Sequence, residues 1–183
     1  MKAALLVLGS WGLLVQPRPA GPTLPAPGPD AVGQKPALLR GETTPKAILA
    51  NRAAFRDHLA RVKLPADLRI RWQAARQPFT LVAVFGSWCA DSHRHLPDLL
   101  ALEATPNPFI EVHYLGVARD KGVPRWPKGC PPQPVERVPT FYLFTRSPGG
   151  AMHWVGSVVE APPEGQTMAA ALVDLVESGA RRP

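Results

Sequence analysis

The sequence predicts an α/β fold with a mixed central β-sheet flanked by helices on both faces, and three observations lead there. First, Phe79-Thr80-Leu81-Val82-Ala83-Val84-Phe85-Gly86 is a nearly continuous apolar run rich in β-branched and aromatic residues. Such a run fits a strand buried on both sides. Second, Ser87-Trp88-Cys89-Ala90-Asp91-Ser92 follows it and opens a segment whose Leu96, Leu99, Leu100 and Leu102 recur at helical spacing. Third, two strand patterns flank Gly149-Gly150 as a hairpin, and a helical pattern comes after them. Alternation of strand and helix, followed by a hairpin and a last helix, is the order of a mixed sheet.

Taken in chain order, the N-terminus reads first. Lys2 precedes an apolar run from Ala3 to Val15, and Pro17 ends any helix there. Residues 1–16 therefore have the layout of a signal peptide, a basic start and then an apolar stretch. The stretch is shorter than the roughly 20 apolar residues that span a bilayer comfortably. Ala20 has Arg18 two residues before it and Ala26 is followed by Pro27, so neither makes a good cleavage site. No cysteine follows the apolar run, which excludes a lipoprotein attachment. The expectation is export to the periplasm or the exterior, with poor cleavage or retention as a short membrane anchor. Six prolines between Pro17 and Pro29 then make residues 17–43 a proline-rich linker in extended conformation.

A folded domain is expected over residues 44–180. Thr44 followed by Pro45 is a helix start, a hydroxyl cap and then a proline whose missing N–H does no harm. Ile48, Leu49, Phe55, Leu59 and Val62 carry that helix to about Lys63, and Pro65 closes it. Residues 66–77 read as a short helix or turn with Leu68 and Trp72 inward. After the buried strand and the cysteine helix, Ile110 to Val117, Pro139 to Thr145 and Met152 to Val159 read as strands. The last helix is expected from about Pro163, with Met168, Leu172, Leu175 and Val176 inward and Gly179 stopping it. A second group of six prolines, from Pro124 to Pro139, reads as an irregular loop inside the domain.

Composition excludes several classes. A chain of 183 residues, 45% hydrophobic and 19% charged, suits one globular domain with extensions. The net charge of +7 is scattered, with no basic stripe interleaved with aromatics, so no nucleic-acid partner is expected. A basic surface of this kind favours acidic partners or anionic membranes. No nucleotide-binding glycine motif is present, and no cofactor is called for.

A buried strand, then Trp-Cys at a helix start, then Val-Pro-Thr before a later strand, resembles the thioredoxin superfamily over roughly residues 44–180. Pro97 stands eight residues after Cys89, where thioredoxins place the proline of their active-site helix. Val138-Pro139-Thr140 is similar to the family's cis-proline loop, Phe144 follows five residues past that proline, and Gly156 sits like the family's glycine of the last strand. The Trp-Cys-x-Asp variant, with Asn51-Arg52 upstream, most resembles a bacterial branch of thioredoxin-like proteins that often lacks the second cysteine. The resemblance implies a thioredoxin-like fold and thiol–disulfide exchange. It casts Cys89 as nucleophile, Trp88 and Pro139 as walls of the groove, and Val138 as backbone offered to a substrate.

The thiolate is the reactive form of a cysteine, and a helix N-terminus favours it through unpaired N–H groups and the helix dipole. Two departures from the family pattern bear on what Cys89 can do. Ser92 stands where the resolving cysteine would be, and Ala83 stands where thioredoxins bury an acid that serves that same half-reaction. A dithiol reductase of the ordinary kind is therefore not expected. Three outcomes stand open: a monothiol site resolved by another protein or a small thiol, pairing of Cys89 with Cys130 either as resolving partner or as a static disulfide, and a redox-silent binding site.

The neighbouring residues have modest expected roles. Asp91 suits the first turn of a helix, though a carboxylate facing the sulfur would oppose the thiolate. Ser92 either donates to the sulfur or helps to cap the helix. His93 shares a helix face with Cys89, so its imidazole is expected to lean toward the thiol. Cys89 and His93 also make an incomplete metal-ligand pair with no third ligand in the pattern, and no metal is expected. The leading expectation is an exported monothiol exchange protein whose partners are protein or small-molecule thiols and disulfides. Its rival is a non-catalytic module on the same scaffold that holds a peptide, a partner or a metal such as copper.

Overall fold

The computed structural model describes residues 36–147 and 149–181, so the expectations for residues 1–16 and most of the linker lie outside the described residues. In chain order the elements are β1 (Gly41–Thr43), α1 (Pro45–Asn51), α2 (Ala53–Leu59), α3 (Ala66–Ala74), β2 (Phe79–Phe85), α4 (Ala90–Glu103), β3 (Ile110–Gly116), β4 (Thr140–Arg146), β5 (Met152–Val159) and α5 (Met168–Ala180). The five strands form one mixed sheet in the order β1-β3-β2-β4-β5. Only β2 and β3 run parallel, while β1 on β3, β4 on β2 and β5 on β4 are antiparallel.

Every residue of β2 is buried, as its unbroken apolar run requires of a central strand. Side chains alternate between the two faces of the sheet. Phe79, Leu81, Ala83 and Phe85 point to one face, where they join Tyr114, Phe141, Leu143 and Val155. All five helices meet them there, through Ile48, Phe55, Leu68, Trp72, Leu96, Leu99, Leu102, Met168, Leu172 and Val176. Val82 and Val84 point to the other face with Leu115, Tyr142 and Phe144. Among the described residues no helix packs on that face. Val123, Trp126, Cys130, Val135 and Val138 from the connection between β3 and β4 cover it. Among the described residues helices therefore flank the sheet on one face, which corrects the expected two-faced arrangement. The physical reason lies in the connection itself: Pro124, Pro127, Pro131, Pro132 and Pro134 lack the N–H a helix needs and clash with its preceding turn.

Other boundaries differ from expectation. The linker does not extend to residue 43, because Gly41–Thr43 pairs with Tyr114–Gly116 as an edge strand. The segment ahead of it is also held: the Asn51 side-chain amide donates to the Ala37 carbonyl at 2.9 Å, and the Leu39 N–H donates to the Ser87 hydroxyl at 3.1 Å. A Cβ at Gly116 would lie 2.6 Å from the Leu39 carbonyl oxygen, so only glycine lets that segment cross β3. The single helix expected from Pro45 to Lys63 is broken at Arg52, which is extended (φ −140°, ψ 137°) and serves as cap to both α1 and α2. Ile48 and Phe55 are buried on either side of the break, which is why the apolar spacing reads as continuous. Thr44 caps α1 as expected, its hydroxyl accepting the Ala47 N–H at 3.2 Å. The last helix begins at Met168 with Thr167 as its cap, not at Pro163. Gly179 lies inside it and not at its stop. There the helix presses against Phe79, Leu143 and Val155, each within about 3.1 Å of where a Cβ would stand.

Among the described residues no helix is long and apolar enough to cross a membrane.

Candidate functional site

The end of β2 hands the chain to α4 through one tight turn. The Cys89 N–H donates back to the Gly86 carbonyl at 2.9 Å, and the Cys89 carbonyl accepts the first helical bond, from His93, at 3.1 Å. Cys89 is therefore the N-cap of α4, with extended backbone (φ −92°, ψ 129°). Its thiol is half-buried and donates to the Val138 carbonyl at 3.2 Å. The Val138–Pro139 bond is cis. The Pro139 carbonyl accepts the Glu160 N–H at 2.7 Å, and Arg137 pairs with Glu160 at 2.7 Å, so the loop facing the thiol is anchored to the end of β5. The structure thus brings Cys89 against the Val138–Pro139 loop.

Trp88 stands beside them. Its indole N–H donates to the Val117 carbonyl at 3.1 Å, and the Arg119 guanidinium lies 4.8 Å from the ring centroid, within cation–π range. Trp88 and Cys89 both pack against the helix-free face of the sheet. Arg119 and Ser87 have no signal in the sequence. The first is a loop residue met only through tertiary contact, and the second is a fully buried serine whose partner, Leu39, lies far back in the chain.

The other candidate residues are placed differently. Ser92 is fully buried, and its hydroxyl accepts the Gly86 N–H at 3.2 Å, so it braces the turn that carries Cys89. Asp91 turns to the surface toward Arg94, 3.9 Å away. The His93 imidazole does not lean onto the thiol. Its Nε2 lies 2.9 Å from the Ser87 carbonyl and its ring stands edge-on to Phe55, with centroids 4.8 Å apart. A carbonyl and a T-shaped aromatic contact satisfy the ring there, and packing overrides helical proximity.

Cys130 and Cys89 are both free thiols. Cys130 is 6% exposed on the helix-free face, and burial, with Glu111 next, pushes its pKa up against a smaller opposite pull from Arg146. Glu111 pairs with Thr80 near the start of β2, and Arg146 ends β4 at that same end of the strands. Cys89 follows the other end of β2, and a seven-residue strand is about 20 Å long. The structure does not bring Cys130 to Cys89, so of the three open outcomes it does not show their pairing. Among the described residues no group of three or more His, Cys, Asp or Glu side chains is arranged to hold a metal.

Fold and site together define a mixed α/β protein that presents one accessible cysteine at a helix N-cap, against the carbonyl of a neighbouring loop. No family model and no curated protein matches the chain. Among solved structures it is similar to a protein of unknown function, PA1234, from Pseudomonas aeruginosa, with a TM-score of 0.45, 19% identity, and coverage of 76% of this chain and 87% of that one. It is also similar to an HIV epitope scaffold, with a TM-score of 0.45, 17% identity, and coverage of 76% of this chain and 88% of that one.

Proposed function

We propose that this chain is a thioredoxin-like protein that carries out thiol–disulfide exchange of monothiol type through Cys89. One observation carries the reading: a half-buried cysteine caps the start of α4 and points at the Val138 carbonyl of the Val138–Pro139 loop. Trp88, held by Val117, forms one wall of the groove, and a substrate strand that displaces the thiol takes over the Val138 carbonyl as acceptor.

The exchange step balances without a cofactor. The Cys89 thiolate attacks one sulfur of a substrate disulfide, forming a mixed disulfide and releasing the other sulfur as a thiolate that takes up a proton. Resolution needs a second thiol. Ser92 has none to offer, and Cys130 is buried toward the far end of the sheet. The resolving thiol therefore comes from a second protein or a small thiol, which attacks the mixed disulfide and regenerates Cys89. The same reading keeps the export expected from residues 1–16, and fractionation of cells producing the full chain tests it.

The deciding experiment is exchange with a peptide disulfide in the presence of a small thiol, run on the full chain and on Cys89→Ser. The substitution removes all turnover and leaves unfolding by urea within about 0.5 kcal/mol of the parent. Turnover that persists in Cys89→Ser ends the exchange reading. A Cys89 that is inert in the reduced parent, with peptide binding that survives Cys89→Ala, makes the chain a binding module instead.

A further inference from the structure

A cavity of about 360 Å³ opens between the end of α2, the middle of α4 and the start of α5. His58, Arg61, Lys63 and Arg94 line it, with Val62 and Leu64 supplying an apolar side. These basic groups are largely uncommitted. Among the described residues the side chains of His58, Arg61 and Lys63 have no hydrogen bond or ion pair, and Arg94 reaches only Asp91, at 3.9 Å on the surface. The acid in the wall is already engaged. Asp98 accepts the Ala169 N–H at 2.9 Å, and Thr167 accepts the Ala170 N–H at 3.2 Å, so the start of α5 is satisfied by the fold itself.

Like charges gathered around a concavity are held together only at an electrostatic cost, and His58 registers it. Its pKa is lowered, by burial first and then by Arg61, Arg94 and His93, with Asp57 pulling the other way. His95, lowered in turn by burial and by Arg94, lies within reach of the same group. An anion in the cavity would relieve this repulsion.

We propose that the cavity binds a small soluble phosphate monoester, with the guanidinium forks of Arg61 and Arg94 on its oxygens, His58 and Lys63 adding charge, and Val62 and Leu64 against its carbon portion. Planar guanidinium forks match a tetrahedral oxyanion in a way that point charges do not. The volume exceeds what an inorganic anion alone needs and lies in the range of small-ligand sites. The site is independent of the exchange chemistry. Arg94 is five residues on from Cys89, on another side of α4, and Cys89 faces the Val138 loop.

The test uses the full chain and inorganic sulfate, which keeps both its charges across the pH range. The histidine imidazole signals are followed by NMR against sodium chloride of equal ionic strength. Sulfate shifts the His58 signal saturably and raises its titration midpoint, with Asp57, Arg61, Lys63, His93, Arg94, His95 and Asp98 as the ionisable groups around it. His113, held between Glu42 and Glu111 on β3 and in register with Val82 of the helix-free face, does not respond and reports an intact fold. Arg61→Gln and Arg94→Gln each weaken binding about tenfold, and Cys89 exchange stays at the parental rate in both. An equal, non-saturating response to chloride overturns the site, as does sulfate binding that neither substitution weakens. Capture by phosphatidylcholine vesicles containing phosphatidic acid, with no response to sulfate, overturns a soluble ligand in favour of a lipid headgroup.

Discussion

The two faces of the sheet are built from the same strands and closed in opposite ways. On one, five helices seat leucine, isoleucine and aromatic side chains against Phe79, Leu81, Phe85, Phe141 and Leu143. On the other, a proline-rich connection lays Trp126, Val135, Val138 and Cys130 over Val82, Val84, Tyr142 and Phe144. A helix satisfies its own backbone, so the helical face needs few further ties beyond side-chain packing, among them the Tyr114 hydroxyl donating to Glu103 at 2.7 Å and the Trp72 indole N–H donating to the Thr105 carbonyl at 3.1 Å. A proline-rich segment has fewer donors to satisfy and must be pinned by particular contacts. Here they are the Tyr142 hydroxyl on the Pro134 carbonyl at 2.7 Å and the Trp126 ring edge-on to Tyr142 and Phe144, at 5.4 and 6.2 Å. Trp88 and Cys89 pack on this second face, so the candidate site borders the loop cover. The difference teaches that the larger core lies on one side of the sheet and the candidate site borders the other.

Three measurements would break or sharpen that contrast. The largest effect is expected on the helical side. Phe141 is fully buried there, and Phe141→Ala should cost about 3–5 kcal/mol in urea unfolding, with loss of helical circular dichroism in the same transition. Trp126→Ala on the loop side should cost less, about 1–3 kcal/mol, because the ring is only half-buried. It should leave the helical signal at its parental value and speed the alkylation of Cys130 more than that of Cys89. Equal costs for the two substitutions would mean that the faces are equivalent cores, and the contrast would fail.

The smallest effect concerns Cys130 and depends on pH. Burial and Glu111 raise the pKa of this thiol, so the fold favours its neutral form. That contribution is whole below the ordinary thiol range and is lost as pH rises through the raised folded value. Cys130→Ala should therefore be less stable than the parent by about 1 kcal/mol near neutral pH, from lost packing. The gap should narrow as pH climbs through the thiol range, where the parent loses stability and the variant does not. A gap that stays constant with pH would place Cys130 in contact with solvent, and the loop cover would be looser than described.

Much of the fold was legible locally. The β2 run, the Thr44 cap, the leucines of α4, the hairpin at Gly149-Gly150 and the position of Cys89 at a helix start all follow from periodicity, capping and turn chemistry, and the structure carries each of them. The break at Arg52 escaped because both flanking helices bury residues that keep one apolar rhythm. Edge strand β1 escaped because three residues carry no period, and only pairing with β3 makes them a strand.

The sequence by itself determined which positions must be apolar and where elements begin, since those follow from the chain's own geometry. It did not determine what lies across from them. Whether a face is covered by helices or by a loop, that Val138 faces the thiol and that Cys130 lies toward the far end of the sheet were settled by contacts between distant segments, while Ser92 turning to Gly86 and His93 to Ser87 were settled by how the chain folds back at the β2–α4 turn. Local patterns fix the demand of each side chain for burial or for a partner, and only the assembled sheet decides which neighbour meets it.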